Sequence, residues 1–258
     1  MASAPAQGLP LFYKDLQPLS SQEHATWKAR NIGSATFFAQ AHAVPLTVEE
    51  FTSAQRFHTI VFSAGANPVP LALMGLNEGV NVFVDDNGQP TREMYVPAYV
   101  RRYPFLLARL RPDTDELSLC FDPTSGVLGE FDEGDALFEN GEPTVVVNGT
   151  LEFCEKFEQA GATSGFFMNE LINNKLLIDG EATIQLPDNS QPFVYRGFQI
   201  VSEERVLELR GDVVRKLVQN GVMPLIYAHL FSLQLMQVLF GLQQEQGKIP
   251  QGELILPA

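Results

Sequence analysis

The sequence predicts an α+β fold, with a strand-rich N-terminal half containing antiparallel hairpins and a more helical C-terminal half. The second half is expected to carry one hairpin and a long apolar C-terminal helix. Three observations lead there. Short β-branched and aromatic runs broken by turn residues fill the chain up to about residue 122. Apolar residues recur at spacings of three and four after residue 150. Residues 222–242 contain no Asp, Glu, Lys or Arg. The 258 residues are 45% hydrophobic and 10% aromatic, which excludes a wholly disordered chain and permits a core without disulfide or metal staples.

Residues 1–10 are small, Pro-punctuated and expected to fray, with Phe12 and Tyr13 as docking side chains. ATFFAQ (35–40) predicts a short strand. Thr47 with Glu50 three residues later is a capping-box signature for a helix to about Phe57, with Val48, Phe51 and Ala54 on its apolar face. HTIVFS (58–63), PLALMG (70–75) and NVFVDDNGQ (81–89) predict strands, the last turning at Asp86-Asn87-Gly88. LLARL (106–110) and ELSLCFD (116–122) are expected to pair across Arg111-Pro112-Asp113. Residues 113–142 hold ten Asp or Glu and no Lys or Arg, with Phe121, Phe131 and Phe138 between them. They predict an acidic loop region pinned by aromatics. The boundary between the halves, 1–145 and 146–258, is placed there, the two packing as one unit.

TLEFCEKFEQA (150–160), capped by Thr150, and SGFFMNELINNKLL (164–177) predict helices separated by a Gly-rich break. EATIQL (181–186) and PFVYRGFQIV (192–201) predict a hairpin around Pro187-Asp188-Asn189-Ser190. LRGDVVRKLVQNG (209–221) is amphipathic and stops at Gly221. The final helix is placed at about 223–243. It is long enough to span a bilayer, but Pro224 opens it and His229, Ser232, Gln234 and Gln237 interrupt it. A buried or homodimer-forming helix is therefore expected over a membrane span.

Lys+Arg 17 against Asp+Glu 31 gives a formal net charge of -14. Such a surface repels phosphate backbones and anionic membranes, so no nucleic-acid partner is expected. MASAPAQGLPLFYKDL has neither the basic start nor the apolar run of a signal peptide, so a cytoplasmic location is expected, with surface association needing a non-standard export route. Cys120 and Cys154 form no CxxC pair, and two buried free thiols are expected over a single bridge.

No GxSxG, Walker, GxGxxG or HExxH motif occurs, and His24, His42, His58 and His229 are scattered. No catalytic residue, metal ligand set or cofactor is assigned. GEFDEGDALFENGE (129–142) has carboxylates but not the D-x-D-x-D-G order of a calcium loop, so it reads as a solvated acidic face. One cluster is more pointed. YVPAYVRRYPF (95–105) concentrates Tyr99, Arg101, Arg102 and Tyr103 in a chain short of positive charge. Arginine forks pair with carboxylates and tyrosines add stacking area, so these four residues are the candidate binding surface for an acidic or carboxylate-bearing protein partner. The alternative makes the arginines structural, pairing with the acidic stretch.

PLFYKDLQPLSSQEH, VPLTVEEF (44–51), PLALMGLNEGVNVFVDDNGQ (70–89), YVPAYVRRYPF and VYRGFQIVSEERVLELRGDVVRKLVQNGVMPLIYAHLFSL (194–233) resemble the SapC family of bacterial proteins across nearly the whole chain. That resemblance implies an association with bacterial surface (S-layer) proteins and gene neighbours that include outer-membrane receptors and flavin-halogenase-like proteins. It brings no catalytic residues. The expected function is a non-catalytic binding or accessory protein serving a cell-envelope process through protein contacts. The second reading is an enzyme or enzyme partner acting on a peptide or amino acid beside a halogenase-like or oxygenase-like protein.

Overall fold

The computed structural model describes residues 8–31, 33–111, 113, 116–185 and 192–249. In chain order, β1 (Gln17–Pro18) and β2 (Lys28–Ala29) come first. The segment expected as a strand at 35–40 instead forms a 3-10 turn at Thr36–Phe38, with Phe38 fully buried. β3 (Ala43–Pro45) follows, then a 3-10 turn at Val48–Glu50 leading into α1 (Phe51–Ala54). The capping pair is present, but the helix is shorter than expected. β4 (Ile60–Ser63) and β5 (Pro70–Leu73) form where β-branched and apolar residues predict them.

The strand expected at 81–89 is absent apart from one isolated bridge, Val84 to Pro90. Asn81 explains this: its Oδ1 accepts from the backbone N–H groups of Phe83 (2.8 Å) and Val84 (3.2 Å), satisfying donors that a strand partner would need. The turn beyond it does form. Asp85 Oδ1 accepts from Asn87 N and Gln89 N, and Gly88 takes a φ of 76°, where a Cβ would also collide with the backbone of Ala35 and Thr36.

α2 (Ala98–Arg102) precedes β6 (Phe105–Ala108) and β7 (Ser118–Phe121). The pair β6 and β7 is antiparallel, with Leu106 opposite Cys120. The acidic stretch contains four two-residue strands: β8 (Leu128–Gly129), β9 (Asp135–Ala136), β10 (Phe138–Glu139) and β11 (Glu142–Pro143). The two helices expected between 150 and 177 are one, α3 (Val145–Asn173), 29 residues long. Gly149, Gly161 and Gly165 lie within it in ordinary helical geometry, so no break occurs, and Thr150 is no cap; its hydroxyl donates to Val146 O. β12 (Leu177–Asp179), β13 (Ala182–Ile184), β14 (Phe193–Tyr195) and β15 (Phe198–Val201) follow. β13 and β14 make the expected antiparallel hairpin, whose turn at Pro187-Asp188-Asn189-Ser190 lies outside the described residues.

Four helices close the described chain: α4 (Glu203–Leu207), α5 (Gly211–Gln219), α6 (Val222–Ser232) and α7 (Leu235–Glu245). Gly221, at φ 77°, separates α5 from α6 as its position predicts. The long apolar C-terminal helical run is present over Val222–Glu245, interrupted by one turn between α6 and α7. The fold is mixed α+β with antiparallel sheets.

The chain forms two compact units, each made of two segments: Met1–Ser34 with Arg101–Glu158, and Ala35–Val100 with Gln159–Ala258. The compositional boundary near 145 marks the start of α3 and not a change of unit. The reason is packing. The acidic stretch gives Phe121, Leu128, Leu137 and Phe138 to the first unit's core, with Val147 of α3 and the partly buried Trp27 against them. A second small core joins Tyr13, Leu106 and Cys120. Sheets in this unit run β1-β7-β6 and β8-β2-β9.

The second unit is built on a five-stranded sheet of order β12-β15-β4-β5-β3, with every described pairing antiparallel. Phe51 and Phe62 pack on Phe167, all three buried. Ser164 Oγ accepts from Val48 N at 3.0 Å.

Candidate functional site

The segment carrying the predicted cluster is held from its N-terminal side by Glu50. Glu50 Oε2 accepts from Thr47 N–H and from the Thr47 hydroxyl, both at 2.9 Å. Its Oε1 accepts from Tyr95 OH (3.1 Å) and Ala98 N–H (2.6 Å). The capping residue read from sequence therefore also fixes the start of α2. Tyr99, in the same unit, is buried.

Arg101, Arg102 and Tyr103 belong to the first unit and differ in setting. Arg101 is exposed, its guanidinium 5.2 Å from the Phe153 ring centre. Arg102 is buried at 8% exposure and lies 4.2 Å over the Phe157 ring, with Nη1 donating to Glu158 Oε1 at 3.4 Å. Both arginines thus lean on α3, one helical turn apart, and the ion pair of Arg102 with Glu158 lies outside the acidic stretch at 113–142. Tyr103 is half-buried and packs edge-on against Tyr13 at 5.2 Å between ring centres. Its hydroxyl donates to Asp122 Oδ2 at 3.4 Å, and burial followed by the neighbouring Asp122 charge pushes its pKa up to about 12.

Asp122 is the hub on that side. Burial pushes its carboxyl upward, but hydrogen bonds from Lys14 N–H, the Thr124 hydroxyl and N–H, and Tyr103 OH outweigh it, so its pKa lies below the usual Asp value. Nothing local in the sequence announced this network, because Lys14, Tyr103 and Asp122 meet only through the fold.

Both cysteines and the histidines at positions 24, 58 and 229 are buried. Cys120 and Cys154 are free, buried, and pushed up to about 11 by burial, so neither carries an appreciable thiolate at neutral pH. His58 and His229 are both lowered to about 4, chiefly by burial. His58 Nε2 meets Tyr95 O at 2.7 Å. His24 is buried between Trp27 and Phe121 and its Nδ1 accepts from Ser20 N. Among the described residues, no three His, Cys, Asp or Glu side chains converge on a common metal position.

A family model described as SapC matches residues 19–239. The chain belongs to the SapC family. The match takes in every element from β2 to α6, including the α2 segment, so the arginine pair and its α3 partners lie inside the SapC-family region. No curated protein and no solved structure matches the chain.

Proposed function

We propose that this SapC-family chain is a non-catalytic binding protein that serves a bacterial cell-envelope process through protein contacts. Arg101 is its cationic anchor for an acidic or carboxylate-bearing partner. The carrying observation is the exposed Arg101 guanidinium beside Phe153, in a chain of formal net charge -14. Arginine paired with an aromatic neighbour is a common interface anchor, and a net-acidic surface around it favours a partner that docks one carboxylate at that point. Arg102 and Tyr103 anchor the segment, through Phe157 and Glu158 on one side and Asp122 on the other. The suppressed thiols and neutral buried histidines also favour binding over covalent or acid–base chemistry.

The chain acts in the cytoplasm in this reading. Its apolar run Val222–Glu245 serves as a packed helix or a homodimer face; the most apolar 18-residue stretch has a mean hydropathy of 1.6 and is 39% buried. His229, Ser232 and Gln243 within the run are fully buried and hydrogen-bonded, as core positions require.

The test compares wild type, Arg101→Ala and Arg101→Glu as bait against extract of the native cell. A partner captured by wild type is expected to be lost by both variants while their melting temperatures stay within about 1 °C. Retention of every partner by Arg101→Glu overturns the assignment.

A further inference from the structure

The second unit, taken alone, contains a cleft of about 300 Å3 that the sequence did not announce. Its apolar wall includes Phe57, Phe83 and the α7 residues Leu235 and Leu239, and its polar groups are Arg56, Thr59, Arg92 and Glu93. A mainly apolar concavity with a few polar groups is the usual make-up of a small-molecule site.

Two observations say what fits it. Arg56 and Arg92 are exposed, and neither enters an ion pair among the described residues. Two guanidiniums against the single carboxylate of Glu93 leave the opening with one net positive charge, on a chain that is otherwise strongly acidic. Thr59, in contrast, is 1% exposed, and its Oγ1 has no hydrogen-bond partner among the described residues. That hydroxyl is closed off from solvent, so the exposed Arg56, Arg92 and Glu93 are the polar groups an occupant meets. The volume admits roughly ten heavy atoms at about 30 Å3 apiece.

The geometry points to a binding site for a small monocarboxylate with an apolar body, of about eight carbons. Arg56 and Arg92 hold the carboxylate, and the α7 leucines with Phe57 and Phe83 enclose the hydrocarbon. The site shares no residue with the Arg101 surface.

The experiment is titration calorimetry of the full chain at low salt with octanoate, 1-octanol, octylamine and 2-aminooctanoate. Octanoate is expected to bind, with 1-octanol and octylamine at least tenfold weaker. The double variant R56Q/R92Q is expected to weaken octanoate at least tenfold; R101A is expected to leave it unchanged, which separates this inference from the partner-binding reading. The arginines are exposed, so the double variant keeps the melting temperature of wild type and reports binding alone. No octanoate binding by wild type overturns the proposal, as does equal affinity for 1-octanol or indifference to R56Q/R92Q. Tighter binding of 2-aminooctanoate than of octanoate also overturns it, in favour of a zwitterion read by Glu93.

Discussion

His229 stands where β4 and β15 part, its Nδ1 donating to Ile60 O at 2.9 Å. Nε2 of the same ring accepts from Val201 N–H at 3.0 Å. The two strands pair directly only at Phe198–Ser63 and Gln199–Phe62. Beyond that point a neutral imidazole, protonated on Nδ1, replaces the missing ladder bond, and Ser232 Oγ accepts from Ile60 N–H at 2.9 Å. Both strand-edge groups of Ile60 are therefore satisfied by α6.

This arrangement requires the ring to stay neutral. His58 and His229 titrate near 4 in the fold against 6.5 when free. Between those values the unfolded chain takes up protons that the folded chain refuses, so stability falls as pH drops from 6.5 towards 4 and levels off below. Each histidine is expected to contribute about 1.4 kcal/mol per pH unit across that window. Urea unfolding at stepped pH measures the slope, and His229→Ala should roughly halve it. Asp122 adds a loss at lower pH: its lowered pKa gives stability that is present above the ordinary Asp value and disappears as pH falls through the folded one.

Glu50 joins four donors through one carboxylate. Glu50→Ala removes the acceptor from the three buried donors among them, on Thr47 and Ala98, and is expected to cost about 2–4 kcal/mol, with Glu50→Gln intermediate because it retains one acceptor oxygen. Chemical denaturation of both variants checks the order.

Arg102 and Arg101 should separate in a stability assay. Arg102→Ala removes a buried stem stacked on Phe157 and an ion pair whose Glu158 partner is 46% exposed, an expected loss of about 1–2 kcal/mol once solvent screening is counted. Arg101→Ala is expected to stay within about 0.5 kcal/mol. Equal losses in the two variants would contradict this division of roles.

Helix α3 makes the opposite kind of prediction, a gain. A Cβ at Gly149, Gly161 or Gly165 meets nothing within 4 Å. Each Gly→Ala change is expected to add about 0.5–1 kcal/mol by removing backbone freedom from the unfolded chain. A thermal melt of the triple variant that falls below wild type would argue for a kinked helix.

Thiol accessibility offers a further check. With both thiols buried and pushed up to about 11, an aromatic disulfide reagent is expected to react slowly with the native chain at pH 8 and to count two thiols after denaturation. Fast native labelling would sink the buried assignment.

Local spacing made some of this legible and non-local packing hid the rest. Thr47 and Glu50 are three residues apart, so their pairing could be read directly, as could β4, β5 and the partners β6 and β7. Glycine lowers intrinsic propensity and so suggests two helices, yet side chains such as Phe167 and Leu171 bury the face that keeps α3 continuous. At 81–89 the pattern suited a strand, but one asparagine side chain took the backbone donors. The cluster at 99–103 was visible as composition, while the burial of Tyr99 and Arg102 was not. Arg56 and Arg92 carried no signal at all, since only the fold brings them to one cleft.

The imidazole bridge also fixes an order of events during synthesis. Ile60 leaves the ribosome 169 residues before His229. At translation rates of about 5–20 residues per second, the nascent β4 edge waits roughly ten to thirty seconds for the ring that will occupy it. Through that interval an apolar strand with free backbone groups is open to foreign pairing. Slowing the ribosome between these two positions should therefore lower the soluble yield, whereas a chaperone present while the chain emerges should restore it.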